Sequence, residues 1–122
     1  MTYKIALVDD DEAVRDSLEE LLAAAGYLVT TFSTCSDFLR HLEEESPDAL
    51  VLDHQMPGMT GVELAEHLKT AQRQPPIVMV SGNMSVQIRV RAMKTGVRQI
   101  LHKPFSESEL LDALDAIMQQ PD

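Results

Sequence analysis

A small set of acidic, hydroxyl and basic residues stands at the ends of short runs that have strand character. The set comprises Asp9, Asp10, Asp53, Ser81 and Lys103. Carboxylates brought together without compensation repel one another and raise one another's pKa, and a divalent cation relieves that repulsion. An all-oxygen site with few carboxylates, and with room for water and a phosphate, suits Mg²⁺ better than zinc. The set therefore predicts a magnesium site.

The same residues supply the parts needed to transfer a phosphoryl group to a carboxylate. Such a reaction needs a nucleophile, a metal, a positive charge and a hydrogen-bond donor. Asp53 is the candidate nucleophile, Lys103 supplies the positive charge and Ser81 supplies the hydroxyl donor. The aspartates taken alone are more often ordinary capping or turn residues, so the prediction depends on the whole set. The chain has no glycine-rich Walker loop, so a nucleotide is not the obvious phosphate source.

The elements that must position these residues are five strands that alternate with five helices. The predicted strands cover residues 4–8, 28–32, 49–52, 77–80 and 99–102. Apolar residues recur at helical spacing after each strand, and four of the helices begin at capping residues. The predicted caps are Asp11, Thr34, Thr60, which forms a capping box with Glu63, and Ser106. The remaining helix runs from about Ser85 to Thr95, and its apolar set is Val86, Val90 and Met93.

Continuous apolar strands that alternate with helices are typical of a parallel sheet covered on both faces. Right-handed crossovers leave few arrangements, so we expect an α/β, flavodoxin-like (βα)5 fold. This is a doubly wound, five-stranded parallel sheet with strand order 2-1-3-4-5. Strand three then lies beside strand one, and all strands end at one edge. Asp9, Asp10 and Asp53 should therefore converge where the strand order reverses.

Length, charge and cysteine content narrow the classes of function. The 122 residues predict a single domain over 1–122, with 118–122 as a frayed end or the start of a linker. The formal net charge of −10 predicts no direct binding to nucleic acid or to anionic membranes. Cys35 is the sole cysteine, no apolar stretch is long enough to cross a membrane, and no signal-peptide pattern is present. These features predict a cytoplasmic protein.

The sequence also resembles a known family. The segments VDDD, LVLDHQMPGMTG, IVMVSGN and HKPF, in this order and spacing, are similar to the receiver domain of bacterial two-component response regulators. Each segment alone is weak, but the four together are very specific, and the resemblance covers the whole chain. The segment from Leu52 to Gly96, with AMKTG near its end, looks most like receivers of the nitrogen-fixation (FixJ-like) type.

The resemblance implies a role at each matching position. Asp53 would be the phosphoacceptor and would take a phosphoryl group from the phosphohistidine of a sensor histidine kinase. The side chains of Asp10 and Asp53 would bind Mg²⁺ together with the backbone carbonyl of Gln55. Asp9 would act on the metal through a bound water.

The resemblance also implies how the signal is relayed, with one departure. Ser81 and Lys103 would hold the phosphoryl oxygens, and the Lys103–Pro104 peptide bond is expected to be cis. Receivers usually carry Tyr or Phe three residues before this lysine as a rotating switch, whereas this chain has Ile100. Ser81 and Ile100 are therefore the expected switch residues, without the aromatic form of the relay.

A further implication is a protein that signals and is not an enzyme in the usual sense. It would catalyse only its own phosphorylation and slow dephosphorylation, and would control transcription through an output domain outside this chain. The fourth helix, fifth strand and fifth helix are the expected homodimer surface. Two alternatives stay open: a stand-alone receiver acting by protein–protein contact, and an interaction module independent of phosphorylation. A phosphatase of the haloacid-dehalogenase type is disfavoured, because Gln55 stands where its second acid would lie.

Overall fold

The computed structural model describes residues 2–119, which form five strands alternating with five helices. The strands are β1 (Lys4–Val8), β2 (Leu28–Phe32), β3 (Ala49–Asp53), β4 (Ile77–Ser81) and β5 (Gln99–His102). The helices are α1 (Glu12–Ala24), α2 (Cys35–Leu42), α3 (Gly61–Thr70), α4 (Val86–Lys94) and α5 (Glu107–Gln119). Every predicted element is present. The segment 118–122, predicted as a frayed end or linker, begins inside α5, and residues 120–122 lie outside the described residues.

All five strands are parallel, and their order is β2-β1-β3-β4-β5, as predicted for the flavodoxin-like fold. Val8 of β1 pairs with Leu52 of β3. The residues that follow this pair, Asp9 and Asp53, therefore reach the same edge of the sheet at neighbouring positions. The register of the central strands thus determines where the acids meet.

The other half of the sheet brings a hydroxyl group and a lysine to the same edge. Asp53 pairs with Val80, so Ser81 is the next residue along β4. Ser81 in turn pairs with His102 of β5, which places Lys103 one residue beyond Ser81. Strand register therefore brings the polar residues that end β1, β3, β4 and β5 to one edge of the sheet.

The sheet is buried on both faces, because alternate strand residues face different helices. On one face Leu52 belongs to the same apolar cluster as Leu64 of α3. On the other face Val51 clusters with Leu22 of α1 and Leu114 of α5. Each large side chain buried in this way contributes about 1.5–3 kcal/mol to stability. The core therefore fixes β3, all of whose residues are buried, and with it the acid at its end.

Helix α4 packs differently from the others. Within α4, whose residues are all described, Ala92 is the buried residue, whereas Val86, Val90 and Met93 are 74%, 47% and 52% exposed. The sequence pattern identifies these three as the apolar set of the helix, but the small alanine makes the buried contact instead. Helix α4 therefore presents apolar side chains to solvent.

Candidate functional site

Three aspartates meet where β1 and β3 end. One carboxylate oxygen from each of Asp9, Asp10 and Asp53 lies within 4.8 Å of the others. Asp9 and Asp53 are only 1% and 4% exposed, whereas Asp10 faces solvent. The expected convergence of the acids at the reversal of strand order is therefore present. An exposed acid beside two buried ones leaves one side open to ions, water and phosphate groups.

A lysine from the neighbouring strand end offsets part of this negative charge. Lys103 Nζ lies 3.6 Å from Asp9 Oδ2 and 3.6 Å from Asp53 Oδ2. The Lys103 N–H donates to the Ser81 carbonyl at 2.9 Å, and the Lys103–Pro104 peptide bond is cis, as expected. Because the lysine side chain is 31% exposed, it can contact both the buried acids and a group that enters from solvent.

Asp9 is held so that one of its carboxylate oxygens remains available. Its Oδ1 accepts a hydrogen bond from the Asp11 N–H at 2.9 Å, and its backbone carbonyl accepts one from Arg15 Nη1 at 2.8 Å. Its Oδ2 is buried and accepts no hydrogen bond from any residue between 2 and 119. A buried carboxylate oxygen without a donor is costly, and a hard cation or its bound water would satisfy it. The residues present therefore fit a divalent cation held by oxygen atoms.

The surroundings of Asp53 act on its charge in both directions. Its Oδ1 accepts a hydrogen bond from the Gln55 N–H at 3.1 Å. Burial, followed by the charge of Asp9, raises the pKa of Asp53, while the Gln55 amide and Lys103 oppose that shift. A cation among the three acids would favour the ionised carboxylate, which is the nucleophilic form. A bound cation would therefore stabilise the ionised form of this carboxylate.

Helix α3 begins in direct contact with the end of β3. A Cβ atom at Gly61 would lie 2.7 Å from the Asp53 carbonyl oxygen and 2.7 Å from His54 Cα, so this position requires glycine. The Gly61 N–H donates to the His54 carbonyl at 3.1 Å, and His54 Nδ1 accepts an N–H from the first turn of α3 at 3.3 Å. The predicted capping box of Thr60 and Glu63 is present at the same end. Helix α3 is thus fixed directly against Asp53.

The loops after β3 and β4 are joined by a side chain for which the resemblance implies only a backbone role. Gln55 Oε1 accepts a hydrogen bond from the Gly82 N–H at 3.1 Å. Ser81 is buried, and its Oγ accepts a hydrogen bond from the Asn83 N–H at 3.3 Å. The Ser81 hydroxyl is therefore held at the end of β4, on the strand next to Asp53.

Ile100 lies apart from the polar groups of the site. It pairs with Met79 in the sheet, two residues before Ser81 on β4. Its partly buried side chain packs against the apolar cluster that includes Ala92 of α4. The Ile100 side chain thus packs on a face of the sheet, whereas Lys103 lies at the edge of the sheet with the acids.

Three contributions to the site do not follow from the sequence pattern. These are the bond from Arg15 to the Asp9 carbonyl, the bond from the Gln55 side chain to the loop after β4, and the close approach of Gly61 to Asp53. An arginine one turn into a helix that follows three acids was an available signal for the first. The other two depend on how separate loops come together, which residue spacing does not reveal.

Comparison with known proteins agrees with this geometry. The structure of the Vibrio cholerae chemotaxis protein CheY4 superimposes on 96% of this chain and 99% of its own, with a TM-score of 0.89 and 27% identity. The profile of the response regulator receiver domain matches residues 5–115, and the chain belongs to this family. The transcriptional regulatory protein FixJ of Bradyrhizobium diazoefficiens is 39% identical over 98% of this chain and 60% of that protein. The crystal structure of FixJ-N has a TM-score of 0.90 and 30% identity, covering 100% of this chain and 98% of that one.

Family membership has direct consequences for function. A receiver domain is a phosphoacceptor and not an enzyme in the usual sense, as expected, and it implies a partner histidine kinase. The group formed by Asp9, Asp10 and Asp53 is consistent with a receiver metal site. The chain spans 60% of the length of FixJ and about half of several other curated relatives. Between residues 2 and 119, no helix is both long enough and apolar enough to cross a membrane.

Proposed function

We propose that Asp53 accepts a phosphoryl group from the phosphohistidine of a sensor histidine kinase in a reaction that depends on Mg²⁺. The observation that carries this proposal is the position of Lys103 Nζ, which forms ion pairs of 3.6 Å with both Asp9 and Asp53. Within the same acidic group, Asp9 Oδ2 accepts no hydrogen bond from residues 2–119. A buried nucleophile, a hard-cation site and an amine at one strand edge are the requirements of phosphoryl transfer to a carboxylate.

The proposed step transfers the phosphoryl group from the kinase histidine to Asp53. A carboxylate oxygen of Asp53 attacks phosphorus and forms the P–O bond, while the P–N bond to the kinase histidine breaks. The imidazole nitrogen leaves with the electron pair and takes up a proton. Lys103 Nζ and the Ser81 hydroxyl bind the phosphoryl oxygens, and the low exposure of Asp53 keeps competing water away from the attacking oxygen.

The proposed metal ligands are the side chains of Asp10 and Asp53 and the backbone carbonyl of Gln55, with Asp9 acting through a bound water. Mg²⁺ would supply charge neutralisation between these carboxylates and the phosphoryl oxygens. The availability of Asp9 Oδ2 and the exposure of Asp10 support this assignment. The Gln55 N–H already holds Asp53 Oδ1 at 3.1 Å, which keeps the loop that carries the Gln55 carbonyl next to the nucleophile.

The proposed output is a change in a surface used for dimerisation and for control of transcription. Phosphorylation would draw Ser81 toward Asp53 and shift the loop that leads into α4, with a small adjustment of Ile100. A homodimer formed through α4, β5 and α5 would use the exposed side chains of Val86, Val90 and Met93. FixJ is a transcriptional regulatory protein of which this chain spans 60%, which favours a receiver attached to an output domain over a stand-alone one.

The location and extent of the domain belong to the same proposal. A single receiver domain over 1–122 fits the family match over residues 5–115. The segment 118–122 is predicted as a frayed end or the start of a linker, and α5 includes its first two residues. A cytoplasmic location fits the single cysteine, Cys35, which is buried and free. The net charge of −10 makes contact with nucleic acid by this domain itself unfavourable, so any DNA contact belongs to the output domain.

The proposal is tested by intact-mass measurement after treatment with acetyl phosphate and Mg²⁺. One added phosphoryl group is expected on the wild-type chain and none on Asp53→Asn. Undiminished labelling of that variant would overturn the assignment of Asp53. A wild-type chain that takes up no phosphoryl group from either acetyl phosphate or a phosphorylated kinase would instead favour an interaction module independent of phosphorylation.

A further inference from the structure

Two side-chain contacts tie α4 to α3. The Arg91 guanidinium donates from Nε to Glu66 Oε2 at 2.8 Å and from Nη2 to Glu66 Oε1 at 2.7 Å. Lys69 Nζ donates to the Lys94 carbonyl at 2.6 Å, at the C-terminal end of α4. A two-point contact between arginine and carboxylate fixes both distance and orientation, which a single ammonium contact does not. The two contacts together hold the C-terminal half of α4 against α3.

These contacts matter because α4 has little apolar packing of its own. Ala92 is its buried residue, and Ile88 packs against the same core cluster while only partly buried. A helix held by one methyl group and one partly buried side chain gains little stability from burial. Exposed ion pairs usually contribute little to the position of a helix. Because α4 has so little apolar burial, its polar contacts with α3 contribute more than is usual.

The α3 side of the contact is the fixed side. Arg91 lies in the field of Glu63 as well as Glu66, and Glu63 closes the capping box at the start of α3. That same start is fixed against the Asp53 carbonyl by Gly61. Arg91 therefore joins α4 to the helix whose first turn packs directly against Asp53.

We propose that the Glu66–Arg91 pair, supported by Lys69, is a clamp that holds α4 in its unphosphorylated position and so opposes activation. The inference rests on the proposed function, since activation here means the state reached when Asp53 carries a phosphoryl group. A contact made in only one of two conformations shifts their populations by its own free energy. Loss of the clamp therefore raises the population of the activated position in the absence of any phosphoryl group.

The first measurement uses Glu66→Gln, which removes the charge and keeps the shape. Backbone amide NMR shifts of α4 in this variant, without phosphodonor, should move part of the way toward those of the wild-type chain with beryllofluoride and Mg²⁺. The expected gain in activated population is about two- to fivefold, which is the usual range for an exposed ion pair. The rate at which acetyl phosphate labels Asp53 should rise by a similar factor.

A matched control separates the clamp from a general loss of an ion pair. Lys4 pairs with Glu45, and these side chains are 52% and 45% exposed, close to the 47% and 39% of Arg91 and Glu66. Glu45→Gln removes this pair at the start of β1, away from α3 and α4, so it should leave α4 shifts and the labelling rate unchanged. Arg91→Gln removes the same pair from the α4 side, so it should change the α4 shifts and the labelling rate as Glu66→Gln does.

The outcomes distinguish the clamp from the function on which it depends. Wild-type α4 shifts and labelling rate in Glu66→Gln would overturn the clamp and leave the phosphoacceptor intact. Wild-type values in Arg91→Gln would likewise overturn it, since an effect of Glu66→Gln alone would not come from the pair. A wild-type chain that is neither labelled nor altered by beryllofluoride would overturn the proposed function, and the clamp with it.

Discussion

Helices α3 and α4 lie on the same face of the sheet, but they are held in different ways. Helix α3 buries a large share of its residues and begins with a capping box that adjoins Asp53. Its buried residues are Gly61, Val62, Leu64, Ala65 and Leu68. Helix α4 buries Ala92, exposes three large apolar side chains and depends on polar contacts with α3.

This difference separates a rigidly packed part of the molecule from a loosely packed one. We call β1, β3 and α3 the platform, and α4 the responsive element. The strands β1 and β3 and helix α3 hold the acids in place, so a phosphoryl group would bind to a site that is already formed. Helix α4 follows the loop after Ser81 and can shift without disrupting the core, because little of it is in the core. A site of fixed geometry next to a loosely packed helix is suited to convert a local charge change into a surface change.

The largest expected effect is on the free energy of unfolding. It is measured by replacing one buried side chain of α3 and one exposed side chain of α4. Leu64→Ala should lower the free energy of unfolding by about 2–5 kcal/mol, because it opens a cavity in the core. Met93→Ala should change it by no more than about 0.5 kcal/mol, because that side chain is half exposed. Urea unfolding followed by far-UV circular dichroism measures both, since the chain has no tryptophan to report by fluorescence. Equal losses would mean that the two helices are held equally.

The second prediction breaks the contact between α3 and the site. Gly61→Ala should destabilise the fold by about 1–3 kcal/mol, because its Cβ would overlap the backbone of Asp53 and His54. The shift of α3 should also slow the labelling of Asp53 by acetyl phosphate. Gly82→Ala is the control for stability, because a Cβ there would meet Gln55 Oε1 at an ordinary 3.5 Å. If both variants unfold at the same urea concentration, the close approach of α3 does not constrain the site.

Most of the fold and the polar residues at the sheet edge could be predicted from the sequence. The strands are continuous apolar runs, and runs ending in Asp9, Asp53 and Ser81 share one edge in any parallel sheet of this order. Local rules also predicted the helix starts, because a cap such as Thr60 bonds only to residues within its own first turn. These features depend on short-range chemistry and on strand order.

The orientation of α4 could not be predicted in the same way. Periodicity identifies Val86, Val90 and Met93 as one apolar face, but it does not say whether that face meets the core or solvent. A small Ala92 carries the buried contact, and alanine gives almost no periodic signal. The Arg91 contact with Glu66 joins residues 25 apart in sequence, so it follows from tertiary packing alone.

The third prediction tests whether Mg²⁺ binds within the platform, with Asp10 as a ligand. Asp10→Asn should weaken Mg²⁺ binding at least about tenfold, which is the smallest loss usual even for groups that only support a metal ligand. Isothermal titration calorimetry measures this affinity directly. Asp11→Asn removes the same charge next door, but asparagine still caps α1, so Mg²⁺ affinity should change little. If both variants weakened Mg²⁺ binding equally, the loss would come from the reduced negative charge, and Asp10 would not be a metal ligand.

The smallest and most local prediction concerns Ile100 and the path from Asp53 to α4. Phosphorylation adds about −1.5 to −2 charges and three acceptor oxygens, which would draw the Ser81 hydroxyl away from the Asn83 N–H that it now accepts from. A branched aliphatic side chain packed in the cluster with Ala92 cannot sweep the volume that a rotating aromatic ring does. We therefore expect the backbone after Ser81 to carry most of the change, with Ile100 adjusting only slightly.

Backbone amide NMR with beryllofluoride and Mg²⁺ tests this path, because the complex mimics the phosphoryl group without turnover. The largest shift changes should fall between Ser81 and Val90, and they should shrink in Ser81→Ala, which lacks the hydroxyl that the added oxygens attract. Mg²⁺ alone should change amides near Gln55 and leave α4 unaltered, since the metal is expected to bind within the platform. If the shift changes were confined to α2 and α3, and the α4 amides did not change, α4 would not be the responsive element. The loose packing of α4 would then have no connection with phosphorylation of Asp53.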